Sequence, residues 1–191
     1  MNDGRVTIDG NTLPLPELFM VIATQNPVEY HGTYPLPEAQ LDRFFLRLKI
    51  GYPLPEHEKK IIHEKDLYDR AHKIDSVLST KEVEELQKTV PEIRIDESLV
   101  DYILKIVNAT RNSKSVKLGV SPRGTLLLVR AAQAYAVTFG RDYVVPDDIK
   151  AVVVPVLSHR IVIDSNLYGF SRINESDGII NELVKKVPVP V

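Results

Sequence analysis

Cysteine is absent from the sequence, which excludes disulfides, thiolate metal sites and cysteine nucleophiles. A basic excess is absent too. Lys plus Arg number 24 against 26 Asp plus Glu, for a formal charge of -2, and no block of consecutive Lys/Arg occurs. Nucleic-acid and anionic-membrane binders rest on such an excess. No run is apolar enough to span a bilayer: the most apolar stretch, residues 126–137, is broken by Arg130 and Gln133. The polar start, MNDGRVTIDG, is not a signal peptide. These absences predict a cytoplasmic protein. Neither His57 nor His63 completes an HExxH zinc motif, because Ile61 and Leu67 stand at the second His position. There is no GxSxG nucleophile elbow and no GxxxxGK(S/T) phosphate loop. What remains, 43% hydrophobic and 26% charged residues, is the balance of a globular protein rather than a disordered one.

The pattern along the chain changes once. Residues 6–15 read VTIDGNTLPL, and Asp9-Gly10 between β-formers predicts a hairpin. Residues 19–24, FMVIAT, form the continuous apolar run of a strand buried on both faces. A short helix is expected from Pro37, with Glu38 in its first turn, and a strand from Phe44, where Phe44, Leu46, Leu48 and Ile50 alternate with Phe45, Arg47 and Lys49. From Pro55 the signals are helical. Ser79 and Glu82 make a capping box, Asp96 caps a helix with Leu99, Val100, Ile103, Ile106 and Val107 on one face, and Ser121-Pro122 opens a long helix that Gly140 closes. Val145-Pro146-Asp147-Asp148 begins another, which Pro155 is expected to kink or split. The tail is expected to be extended. So few strands cannot cover both faces of a parallel sheet, and the chain is expected to be truncated at its N-terminal side. Residues 93–97, IRIDE, superficially resemble a Walker B strand, but Arg94 breaks the apolar run and Asp96 is explained as a helix cap.

Three residues could carry chemistry. Asn26 follows a buried strand, at the edge that faces the ligand crevice in open α/β sheets. Its amide could orient a water or touch a phosphate, or Asn26-Pro27 is turn chemistry only. Arg43 ends the short helix, either as an arginine finger or as a helix-end cation paired with Asp42 or Glu38. Arg123 lies in the first turn of the long helix, where a cation opposes the dipole at roughly 0.3–1 kcal/mol and where free N–H groups suit an anion. It either meets a negative ligand or pairs with a nearby carboxylate.

The segment ATQNPVEYHGTYPLPEAQLDRF, residues 23–44, resembles the signature of MoxR-type AAA+ ATPases. VTIDG before it, GYPLPE after it and SPRGTLLLVRAAQAYAVTFGRDYVVPDDIK further on are similar to the same family. A chelatase subunit would share the layout, but ATQNP with GTYPLPEAQLDRF favours MoxR. The resemblance implies an α/β remnant of an AAA+ core (hairpin, strands, short helix) over residues 1–53, then an all-α lid domain over residues 54–191. It implies that Asn26 is sensor 1 and Arg43 the finger, both catalytic, and that Arg123 is sensor 2, contacting the nucleotide. It further implies ATP and Mg2+ in the complete parent rather than in this chain alone, a homo-oligomeric ring, and partners with metal-binding von Willebrand A-type domains. A reading from another class is a non-catalytic helical protein-interaction module.

Overall fold

Asp9 and Gly10 take φ of 48° and 80°, the two left-handed positions of a two-residue hairpin loop. The computed structural model describes residues 4–25, 37–63, 74–163 and 169–190. Strand β1 (Arg5–Ile8) pairs antiparallel with β2 (Asn11–Pro14), Ile8 opposite Asn11 and Arg5 opposite Pro14. The expected hairpin is present. The expected short helix is α1 (Glu38–Leu41), with Pro37 one residue earlier as its cap.

The two other expected strands do not form. Residues 19–25 and 44–50 take part in no β-ladder among the described residues. A strand is held by its neighbours' hydrogen bonds, and an apolar run specifies the demand for neighbours without supplying them. Met20 and Ile22 are 76% and 77% exposed, and Ile50 is fully so. The second segment runs instead along the helical part, where the Arg47 N–H donates to the Pro155 carbonyl at 2.9 Å.

The helical part carries the core. Helix α2 (Pro55–His63) buries no residue. Helix α3 (Thr80–Thr89) starts at the expected capping box: Ser79 N–H donates to Glu82 Oε2 at 2.7 Å and Glu82 N–H to Ser79 Oγ at 3.3 Å. In α4 (Glu97–Arg111), Asp96 accepts from Ser98 N–H at 2.9 Å, and Leu99, Tyr102, Ile103, Ile106 and Val107 are buried. Helix α5 (Pro122–Thr138) presents Leu128, Ala131, Ala132 and Ala136 to α4 and to α6 (Pro146–Leu157). Its small residues let the helices approach closely, and Gln133 is buried among them because its amide donates to the Ile93 carbonyl at 2.7 Å. Residues 93–95 meet the 142–144 segment through one parallel bridge, and Asp96 is a cap, as the sequence indicates.

Pro155 neither splits α6 nor ends it; the helix runs two residues further and tightens into a 3-10 turn, Ser158–Arg160. Its own carbonyl takes the Arg47 N–H. Two features have no counterpart in the sequence expectations. A small antiparallel ladder joins β3 (Val116–Leu118) to β4 (Val162–Ile163), and α7 (Gly169–Lys186) packs against α4 and α6, with Ile180 fully buried. Among the described residues no helix is long and apolar enough to cross a membrane.

Candidate functional site

The 3-10 turn after α6 puts two basic side chains, His159 and Arg160, where little water reaches. The Arg160 side chain is fully buried. A guanidinium has five donors and no acceptor, and burying it unpaired is prohibitive. Its partners come from the segment after α1. Nη2 donates to the Asp42 carbonyl at 3.2 Å and to the Phe44 carbonyl, and Nη1 to the Phe45 carbonyl at 3.3 Å. Nη1 also donates to the Val156 carbonyl of its own helix. Nε stands 3.2 Å from Asp42 Oδ1 as an ion pair, without hydrogen-bond alignment. Burial lowers the Arg160 pKa to about 10, helped by the positive charge of Arg123 and opposed by Asp42. The group stays charged at neutral pH.

His159 is the neutral companion. Burial, and then the charge of Arg160, lower its pKa to about 4. Its Nε2 lies 3.1 Å from the Phe44 carbonyl and 2.7 Å from Arg160 Nη1. It can donate to the first or accept from the second, according to tautomer. A second anchor lies further along: Arg47 donates to Ser158 Oγ at 2.8 Å and pairs with Asp177 of α7, as does Lys49.

The start of α5 reaches the same place. Ser121 caps the helix, its hydroxyl accepting from Gly124 N–H at 3.2 Å. Gly124 makes room for Arg160: a Cβ there would stand 3.0 Å from Arg160 Cδ and 2.7 Å from Val120 Cγ1. A cleft of about 680 Å³ opens between α1 and this helix start, with Glu38, Asp42, Lys117, Ser121, His159 and Arg160 on its walls.

Of the three residues singled out from sequence, Asn26 lies outside the described residues. Arg43 is exposed, and its side chain has no hydrogen bond or ion pair among the described residues. Asp42, one of the two carboxylates expected to pair with it, is engaged by Arg160 instead. Arg123 is exposed at the second position of α5, also without a side-chain partner among the described residues. No carboxylate among those residues offsets its unfavourable place in the dipole. An exposed cation beside the free N–H groups of a helix start can meet an anion. The structure thus brings the Arg43 loop and the Arg123 helix onto one buried arginine, which the sequence reading did not single out. The signal was available: His159-Arg160 interrupts the apolar stretch VPVLSHRIVI, residues 153–163 less its first valine.

Comparison with known proteins places these residues in context. Residues 1–46 match the family described as ATPase family associated with various cellular activities (AAA), and residues 108–183 match the AAA lid domain. The chain is 45% identical to the uncharacterized protein YeaC of Bacillus subtilis, covering all of this chain and 59% of YeaC. It is 38% identical to the chaperone MoxR1 of Mycobacterium tuberculosis, covering all of this chain and 52% of MoxR1. The crystal structure of a candidate ATPase from Cytophaga hutchinsonii superposes with a TM-score of 0.83 at 34% identity, over all of this chain and 60% of that one. The chain spans between half and three fifths of the length of these relatives.

Proposed function

The chain belongs to the MoxR-type AAA+ ATPase family, its fold a portion of the AAA+ core followed by a helical lid, and from that premise we propose that it supplies three polar groups to ATP hydrolysis in an oligomeric ring. Asn26 orients the attacking water as sensor 1. Arg43 reaches the nucleotide of the neighbouring subunit. Arg123 meets the phosphates of its own subunit from the lid. The division at residues 53 and 54 is the corresponding boundary between core and lid. ATP with Mg2+, when bound, supplies the phosphoryl group; the phosphate loop is not in this sequence, so these residues form part of a nucleotide site and not all of it. Homo-oligomeric rings with chaperone or assembly activity, working in the cytoplasm on proteins with von Willebrand A-type domains, complete the proposal.

One observation carries this reading. Arg43 and Arg123 are exposed cations without side-chain partners among the described residues, and Asp42, next to Arg43 in the chain, is paired with Arg160. An arginine held ready but unpaired is what an incoming phosphate requires. The family relationships favour an ATPase part over a non-catalytic interaction module.

Charge accumulates on the transferred phosphoryl oxygens in the transition state, and a positioned guanidinium is worth ~10³–10⁵ in rate. In the full-length ring, Arg43→Ala is expected to lower ATP turnover by that order while ATP binding persists. Mixing it with a second variant whose own nucleotide pocket is inactive should restore part of the activity, because some interfaces then combine an intact pocket with an intact finger. A mixture as inactive as its components, in rings shown to be mixed, would mean that Arg43 does not act across the interface.

A further inference from the structure

Apart from Val156 and His159, the partners of Arg160 among the described residues lie in residues 42–45, on both sides of Arg43: the carbonyls of Asp42, Phe44 and Phe45 and the Asp42 carboxylate. These carbonyls end a turn held by local bonds, Asp42 N–H to Glu38, Arg43 N–H to Gln40 and Phe44 N–H to Leu41, but no ladder partner among the described residues takes them. A buried guanidinium with a rigid fork of donors does. The same side chain is packed against Gly124 in the first turn of α5, one residue from Arg123. Arg43 itself touches none of this and points to solvent.

We propose that Arg160 is a positioning residue for Arg43: it clamps the loop on either side of the finger to the lid, so that the start of α5, carrying Arg123, and the finger move as one body. Nucleotide contact at Arg123 in one subunit is thereby transmitted to the finger that the same subunit offers its neighbour. The inference rests on the reading of Arg43 as a finger. It adds a residue that contacts neither nucleotide and acts through another.

The test has two parts. In the chain itself, Arg160→Met is expected to speed amide hydrogen exchange at Phe44 and Arg47 by about tenfold or more, with the α4 and α5 core amides of Ile106 and Leu128 unchanged. Arg160→Lys should behave like the Met variant, because a compact ammonium lacks the planar fork that reaches these carbonyls from two separate nitrogens. In the full-length ring, Arg160→Met should lower kcat by about tenfold or more while the KM for ATP stays within about twofold. It should also regain activity when mixed with a pocket-inactive subunit, as Arg43→Ala does. If Arg160→Met fails to fold, Asp42→Asn weakens the clamp from the exposed side and should give the same pattern at smaller amplitude. Turnover lost in Arg43→Ala but retained in the clamp variants overturns the positioning role and leaves the finger. Turnover retained in Arg43→Ala removes the finger and the positioning role with it. Unchanged exchange at Phe44 and Arg47 shows that the loop is held by something other than Arg160.

Discussion

His159 is placed where protonation is least welcome, in the interior and beside a permanent cation. Its pKa of about 4, against 6.5 in an exposed chain, makes a stability prediction whose sign can be worked out. Between those values the unfolded chain binds a proton that the native state refuses, so stability rises with pH and falls on acidification from about pH 6.5 towards 4. The full effect is on the order of 3 kcal/mol. Urea unfolding at a series of pH values should show this slope, and His159→Gln should flatten it, since Gln can still donate to the Phe44 carbonyl. The carboxylates held low by hydrogen bonds, Asp96 by Ser98 and Glu82 by Ser79, begin to lose their contribution as pH falls past their ordinary values of 3.8 and 4.5, at the foot of this window and below it. A wild-type profile flat from pH 6.5 to 4 would show that His159 ionises freely in the fold. Asp148 belongs to the same class of buried polar groups. Burial raises its pKa, but hydrogen bonds from Arg141 and the Val145 N–H outweigh this and hold it low, which fixes the start of α6.

At the scale of the element, α5 shows how a residue that weakens a helix can be required by its surroundings. Glycine in a helix ordinarily costs about 0.5–1 kcal/mol relative to alanine, so Gly124→Ala should stabilise an isolated α5. In this chain the added methyl meets Val120 Cγ1 at 2.7 Å and Arg160 Cδ at 3.0 Å, and Arg160 is tied to four carbonyls. The expected sign is reversed: a loss of about 1–3 kcal/mol by overpacking, read from the denaturation midpoint at constant slope. Val120→Ala removes one of the two contacts and should recover part of the loss in the double variant. Stabilisation by Gly124→Ala alone would mean that Arg160 is free to move away, against the clamp. The segment 44–50 illustrates the converse. Its period-two pattern reads as a strand, yet its Phe44 and Phe45 carbonyls meet Arg160 and its Arg47 N–H meets Pro155, because hydrogen-bonding groups take whichever partners the packed chain offers.

For the whole molecule, the prediction concerns what this chain can do unaided. Nucleotide affinity in P-loop ATPases comes largely from a backbone cradle and its lysine, and no GxxxxGK(S/T) occurs in the sequence. Titration of the chain with Mg-ATP in a calorimeter should give no saturable heat at concentrations up to about 1 mM, whereas a Kd near 1 μM would show that the cleft beside α1 is a nucleotide site in its own right. The hairpin, the capping box at Ser79 and the caps at Asp96 and Ser121 were determined by the sequence alone, because each is set by side chains within a few residues of the backbone groups they satisfy. So was the family, through the long irregular motif of residues 23–44. Tertiary structure decided the rest: that residues 19–25 and 44–50 stand without ladder partners among the described residues, that β3 finds β4 across more than forty positions, and that Asp42 answers Arg160 rather than Arg43. Those outcomes depend on groups distant in sequence competing for the same partners, and a one-dimensional pattern shows which groups need partners but not which ones the packed chain will bring to them.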